Sequence, residues 1–286
     1  MQRLTSDLTL KIKILRLIKN VLVYSILFLG VSAILFPLLW AFVSSLKVNT
    51  EIFVIPMQWI PKELHWENYI LPFQEKSFTR YFANSLFAAF STVFLSLFIS
   101  SLAGFSLAKY NYFGKQGVFL AILGTMMLPV QVILVPLFLV VRSLGWLDTY
   151  AGLIIPQAIT AFGIFLMRQH ILTIPDDYID AARIDGSSEF GIFWRVILPM
   201  SKSALSALAI FSFLGSWDSF LWPLVVVTKN NMRTLPLGIS LFFTEYSSVV
   251  NQALAVSIMI MVPVLIVFMI MEKQFVEGLT RSGLKA

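Results

Sequence analysis

Residues 174–199 read Ile-Pro-Asp-Asp-Tyr-Ile-Asp-Ala-Ala-Arg-Ile-Asp-Gly-Ser-Ser-Glu-Phe-Gly-Ile-Phe-Trp-Arg-Val-Ile-Leu-Pro, a polar island between long apolar runs. Five of the fifteen acidic residues lie in it: Asp176, Asp177, Asp180, Asp185 and Glu189. After Pro175, either Asp176 or Asp177 can cap a helix, and the early carboxylates complement its positive amino end. Arg183 falls near the negative end, and Gly186 is placed to stop the helix in a left-handed conformation. Tyr178, Ala181, Ala182 and Asp185 share one face by helical spacing. A second helix starts at Ser188, and Phe190, Phe193, Trp194, Ile197 and Leu198 form an apolar stripe that Pro199 ends. The pattern predicts a first short helix offered to water and a second one pinned to its surroundings. A plain amphipathic connector has the same pattern.

Outward from the island the chain is apolar. Of 286 residues, 58% are hydrophobic and 13% charged, with mean hydropathy +0.84. Soluble domains carry about 25% charged residues, so the composition indicates a membrane protein. Charge-free runs cover 20–46, 81–108, 116–141, 149–167 and 246–271, and Ser203–Thr228 is broken only by Asp218. A span needs about 20 residues, which predicts six transmembrane helices at about 20–46, 81–108, 116–141, 149–169, 203–228 and 246–271. They form a six-helix domain over 20–272, between an amino-terminal segment (1–19) and a tail (273–286). The first run is too long for a signal-peptide core. Counting Lys and Arg on alternate sides gives fourteen on the side of both termini and of loop 170–202, against seven on the other. Positive residues favour the cytoplasm, so both termini and the island are expected there. The net charge of +6 is dispersed among the spans and reads as topology-setting charge beside anionic lipid, with no nucleic-acid partner.

Within the runs, Thr92, Ser96, Ser100, Gly104 and Ala108 recur every four residues, a stripe that lets another helix approach closely. Prolines 37, 129, 136, 156, 223 and 263 can kink their spans. Asp218 stands alone among apolar residues in Gly215-Ser-Trp-Asp-Ser-Phe-Leu-Trp-Pro223. An aspartate at membrane depth costs about 2.5–3.5 kcal/mol and should face a wet cavity or a donor on a neighbouring helix. Gly215 and Pro223 bracket it with helix-weakening residues, as in discontinuous helices that line a path. Trp217, Asp218, Phe220 and Trp222 are therefore the candidate pathway residues. The long segment 47–80, with Trp59 and Trp66, fits either an interfacial cap or a docking surface.

Asp180-Ala-Ala-Arg-Ile-Asp-Gly186, followed by Phe193 and Ile197-Leu-Pro199, resembles the EAA signature of permease subunits of bacterial ABC importers. The resemblance extends over nearly the whole chain. Ser45-Leu-Lys, Glu51-Ile-Phe, Trp59-Ile-Pro, Glu67-Asn-Tyr, Asn84-Ser-Leu, Gly163-Ile-Phe-Leu, Arg168-Gln, Trp222-Pro-Leu and Phe275-Val-Glu-Gly-Leu are similar to the carbohydrate-uptake branch, especially the shorter permease typified by the maltose transporter. Asp180 replaces the usual Glu and Ser187 stands where Ala is common. The resemblance implies an all-α membrane protein: six transmembrane helices with a cytoplasmic coupling-helix loop between the fourth and fifth, the type I (MetI-like) fold of binding-protein-dependent inner-membrane components. It implies that Tyr178, Asp180, Ala181, Ala182, Asp185 and Gly186 dock on a cytoplasmic ATPase subunit. The implied partners are a second related permease, two ATPase subunits and an extracytoplasmic solute-binding protein, in a bacterial or archaeal inner membrane.

The chain carries no Gly-x-x-x-x-Gly-Lys-[Ser/Thr] phosphate loop, since Gly114-Lys115 lacks both the upstream Gly and the following Ser or Thr. ATP and Mg are therefore expected on the partner ATPases, with no cofactor and no catalytic residue on this chain. With no cysteine and only two histidines, thiol chemistry is excluded and a metal cluster is not expected. The expected cargo is a sugar or oligosaccharide. The alternatives are a polyol or glycerol-phosphate-type solute in the same importer class, or an ion-coupled secondary transporter. A lone intramembrane acid and the lack of internal repeats speak against the last. A scaffold or an intramembrane enzyme is a further class, but no catalytic constellation at membrane depth supports an enzyme.

Overall fold

Helix is the dominant structure and no strand occurs among the described residues, as isolated apolar runs require in lipid. The computed structural model describes residues 2–75, 77–244 and 249–283. The helices are α1 (Gln2–Ser45), α2 (Glu67–Glu75), α3 (Phe78–Lys109), α4 (Lys115–Met126), α5 (Val130–Ser143), α6 (Tyr150–Ala158), α7 (Ala161–Leu172), α8 (Asp177–Ile184), α9 (Glu189–Ile192), α10 (Leu198–Met200), α11 (Lys202–Trp217), α12 (Leu221–Val226), α13 (Leu235–Ile239), α14 (Leu241–Thr244) and α15 (Val250–Gly283). The start of the last apolar run and the final three residues of the tail lie outside the described residues.

Among the described residues, three helices are long and apolar enough to cross a membrane: Arg16–Ser45, Phe78–Lys109 and Val250–Met271. The other runs are broken. α4 and α5 meet at 108°, α6 and α7 at 42°, and Glu189–Met200 meets α11 at 81°. Counting each bent pair as one span gives up to six. The fifth run is not one helix over 203–228, because α11 stops at Trp217 and α12 begins at Leu221.

The chain divides into two units. The first comprises Met1–Ile70 with Val249–Ile258. Its α1 is apolar and exposed along most of 16–43. Beyond α1 lies a buried polar knot that joins two of the quoted motif fragments. Asn68 Nδ2 donates to the carbonyls of Ser45 (2.8 Å) and Lys47 (3.0 Å). Asn251 Nδ2 reaches Asn68 Oδ1 at 3.0 Å, and the Ser45 and Tyr69 hydroxyls lie 2.6 Å apart. Lys47, 1% exposed, places its ammonium on the Gln58 carbonyl. Buried polar groups need such partners, so these fragments hold each other in place.

The second unit comprises Leu71–Ser248 with Met259–Ala286, and α3 is its axis, packing on α7, α11 and α6. The predicted stripe is the reason. Thr92, Ser96, Ser100, Gly104 and Ala108 are all buried. A Cβ on Gly104 would sit 2.8 Å from Met167 Cβ and 2.9 Å from the Arg168 nitrogen, so α7 touches α3 backbone to backbone. Ser212 of α11 donates to Ser96 Oγ at 3.0 Å across the same seam. At the start of α3, Asn84 Nδ2 donates to the carbonyls of Asn231 (3.0 Å) and Arg233 (2.8 Å), and Ser85 Oγ accepts from the Leu235 nitrogen at 2.7 Å. Asp148, at φ +56, accepts from the Thr228 nitrogen (2.6 Å) and hydroxyl (2.7 Å) and the Lys229 nitrogen (2.7 Å).

Candidate functional site

The polar island folds as two short helices on an apolar cluster at the far end of α3. α8 sends Ile179 (2% exposed) into that cluster, where it meets Phe105 of α3, Met167 and Ile171 of α7, Ile192, Phe193 and Ile197 of the following segment, and Ala204 and Leu208 of α11. Burying one such side chain stabilises by about 1.5–3 kcal/mol. The segment Phe193–Ile197 is a π-turn, and it brings Phe193 (1% exposed) and Ile197 (0%) inward while leaving Trp194 half exposed. Ser188 caps α9 as expected, its Oγ accepting from the Gly191 nitrogen at 3.1 Å.

α8 ends in a Schellman motif. The Gly186 nitrogen donates to the Arg183 carbonyl (3.0 Å) and the Ser187 nitrogen to the Ala182 carbonyl (2.9 Å), with Gly186 at φ +80. The helix start differs from expectation. Asp176 makes no side-chain cap bond; its Oδ1 accepts from Lys109 Nζ at 2.6 Å, and the same ammonium reaches the Ile174 carbonyl at 2.5 Å. That ammonium holds the Asp176 carboxyl below the usual carboxylate range. Arg183 binds Glu189 through Nε at 2.8 Å and Nη2 at 3.2 Å and reaches Asp180 Oδ1 at 3.2 Å, so α8 is strapped to α9. The short acid Asp180 thus pairs within its own helix. Arg183, and then the Tyr110 hydroxyl, keep Glu189 below its ordinary value. Burial and the Glu189 carboxylate push the Tyr110 phenol up to about 12.

What remains outward on α8 and just past its end is Asp177, Tyr178, Ala181, Ile184, Asp185 and Gly186. Ala182 is the correction: it is half buried and packs on the cluster beside Ile179, because it falls three residues after it. Ile184 was not among the expected residues, yet it is 87% exposed. The signal was available, since an isoleucine three residues after Ala181 continues the outward face.

The second candidate site is a cavity of about 570 Å³ at the break between α11 and α12. Asp218 caps the end of α11 with its own nitrogen on the Leu214 carbonyl (3.0 Å), and its side chain is exposed. Asp218, Phe220 and Trp222 line the cavity with Ser216, Ser219, Gln157 and Thr160. Trp222 is itself 7% exposed and anchored through Nε1 to the Gly152 carbonyl at 2.9 Å. Trp217 does not join them. It is 1% exposed, stacks on Phe213 at 5.6 Å and donates to the Ile260 carbonyl at 3.0 Å, which makes it a packing residue. Gln157 and Thr160 were missed; they mark the α6–α7 break, where Thr160 Oγ1 accepts from the Gly163 nitrogen at 3.1 Å.

Comparison with known proteins agrees with this architecture. Residues 96–280 match the family described as binding-protein-dependent transport system inner membrane component. The arabinooligosaccharides transport system permease protein AraQ of Bacillus subtilis (strain 168) is 37% identical over 254 residues, covering 88% of this chain and 90% of the relative. The sn-glycerol-3-phosphate transport system permease protein UgpE of Escherichia coli O1:K1 / APEC is 33% identical over 268 residues, covering 91% and 95%. A solved bacterial ABC transporter involved in import of the acidic polysaccharide alginate superposes with TM-score 0.79 and 25% identity, over 90% of this chain and 96% of that one. With a helical fold, apolar helices and this match over most of its length, the chain belongs to the binding-protein-dependent transport system inner membrane components, the multi-pass permease subunits of ABC importers.

Proposed function

We propose that this permease imports a carbohydrate, forming one half of the translocation path and taking its energy from ATP hydrolysed by a partner. The 37% identity to an arabino-oligosaccharide permease over 88% of the chain carries the choice of cargo. The outward face of α8 supports the coupling role: Tyr178, Ala181, Ile184 and Asp185 are exposed while Ile179 holds the helix to the bundle. Asp180 steadies Arg183, Ala182 seats the helix, and Gly186 ends it. ATP and Mg sit on two cytoplasmic ATPase subunits, since this sequence has no phosphate loop. A second permease closes the path, and a solute-binding protein delivers the cargo from outside. The fourteen-to-seven distribution of Lys and Arg supports placing both termini and the 174–199 loop in the cytoplasm.

Purification of the tagged chain from membranes tests this reading. It should bring down an ATPase and a second permease, and the complex in liposomes should take up arabino-oligosaccharide only with ATP. Ile184→Arg, on an exposed position, should leave the chain in the membrane and lose the ATPase. Ion-gradient-driven uptake by the chain alone would refute the assignment.

A further inference from the structure

The cavity at the α11–α12 break has one ionisable group among its described lining residues, Asp218, and no Lys, Arg or His. The carboxylate makes no ion pair among the described residues, and its side chain is exposed. It stands at the carboxyl end of α11, the negative end of the helix dipole, so carboxylate and helix end add to one negative potential. α7 begins at the same cavity, but Thr160 Oγ1 accepts its Gly163 N–H at 3.1 Å. The other polar groups at the wall, among them Ser216, Ser219 and Gln157, are neutral, and Phe162 and Phe211 add aromatic faces, their rings 5.3 Å apart at 82°.

We propose that Asp218 makes this cavity a charge filter, open to uncharged polyhydroxylated solutes such as neutral oligosaccharides and closed to anionic ones such as uronate-bearing sugars and phosphate esters. This rests on the carbohydrate-import reading and narrows it. A neutral sugar finds hydroxyl partners for its own hydroxyls and ring faces for its C–H surface. An anion finds no positive side chain and must sit beside a carboxylate in a site walled by apolar residues, where repulsion is stronger than in open water. Discrimination here comes from the repulsive element rather than from a better fit.

The chain has no cysteine, so Ser219→Cys places a single thiol at the cavity wall beside Asp218. In the complete transporter in membranes, the thiol is treated with trimethylammonium-ethyl or sulfonatoethyl methanethiosulfonate. The mass added to this chain is followed, and each rate is normalised to that with a free small thiol. If thiol and carboxylate lie about 6 Å apart, a unit charge biases the cation-to-anion ratio about tenfold even at the permittivity of water, so the expected ratio is about tenfold or more. Adding Asp218→Asn should collapse the ratio to within about twofold. A neutral arabino-oligosaccharide should slow the labelling, and a uronate oligosaccharide at equal concentration should not. Should Ser219→Cys fail to assemble, Leu221→Cys reports on the same wall. Equal normalised rates, or no reaction with either reagent, overturn the filter. Uptake of neutral oligosaccharide with equal rates sinks the filter alone. A charge-selective thiol in a transporter that carries no carbohydrate sinks the carbohydrate reading instead.

Discussion

Substituting Gly186 tests how the loop geometry produces coupling, because two replacements differ in one physical respect. Gly186 sits at φ +80 with nothing within 4 Å of where a Cβ would lie. Gly186→Ala therefore costs only the left-handed backbone, about 1 kcal/mol, or roughly a fivefold bias against the observed turn. α8 is also held by Ile179 and by Arg183 on Glu189, so coupling should survive within that factor. Gly186→Pro cannot keep the turn, because the ring fixes φ near −65°. It also removes the N–H bonded to the Arg183 carbonyl at 3.0 Å, and it disfavours Asp185 at ψ 1. The chain must leave α8 in another direction, which separates Arg183 from Glu189. The total exceeds about 3 kcal/mol, more than a hundredfold against the native loop. The assay compares uptake and substrate-stimulated ATP hydrolysis in complexes matched for membrane content. Gly186→Ala should be near parent and Gly186→Pro silent in both. Coupled transport by Gly186→Pro, or equal loss in both variants, would refute the reasoning.

Gly104→Ala drives a methyl to within 3 Å of the α7 backbone; overpacking of this kind costs about 1–3 kcal/mol and should lower the thermal unfolding midpoint in detergent, whereas Ala on exposed Gly124 should not. Asp148→Leu loses three bonds to Thr228 and Lys229 and places a branched residue at φ +56, which should cost about 2–4 kcal/mol. Asp148→Asn should cost less, and equal midpoints for the two would count against the bracing role. The Glu189 carboxyl is depressed by Arg183 and then Tyr110, so its contribution is present above the ordinary carboxylate pKa of about 4 and is lost as pH falls through the lower folded value. Hydrogen exchange at residues 183–189 should be flat from pH 7 to about 5, once corrected for intrinsic rates, and should rise under strong acid. Glu189→Gln should remove that acid-dependent rise. Trp222→Phe leaves the buried Gly152 carbonyl without its donor and should destabilise by about 1–3 kcal/mol, read in the same unfolding assay.

The four-residue stripe on α3, the Ser188 cap and the Gly186 stop were legible because each depends on local spacing or on one residue's conformational range. The helix breaks were legible only in part. Six prolines marked where breaks were possible, yet Pro37, Pro136, Pro156 and Pro263 lie inside continuing helices, while the 108° turn falls at Met127–Pro129. In the fourth run the chain bends three residues after Pro156, where the Thr160 hydroxyl takes over the Gly163 N–H. In the fifth the break at Asp218–Phe220 falls inside the stretch that Gly215 and Pro223 were expected to bracket, so that one was legible. A proline removes one donor, but whether the helix yields depends on what neighbouring elements offer the freed groups. Asp176 stands at the N-cap position but makes no cap bond, and Trp217 turns away from the cavity, for a related reason. A capping aspartate and a pathway tryptophan are local readings, and Lys109 and the Ile260 carbonyl, both remote in sequence, decide otherwise.

The two candidate sites are joined by one packed cluster, and that bears on how a movement at one would reach the other. Ile179 of α8 touches the same core as Ile192, Phe193 and Ile197, and that core includes Ala204 and Leu208 of α11. α11 is 16 residues long, about 24 Å, and ends at Trp217, beside Asp218. A core packed as densely as an organic crystal cannot absorb a displacement of Ile179 by compression, so the displacement passes to the neighbouring side chains. Two places along the route have slack. The π-turn at Phe193–Ile197 and the 81° bend before Lys202 let the loop tilt without unwinding α11. The break at Asp218–Phe220 lets the end of α11 move while α12 stays anchored by Trp222 on Gly152. A push on α8 would therefore act at the cavity as a shift of the Asp218 carboxylate relative to Phe220 and Trp222, and the charge that screens the cargo would also move when the loop moves.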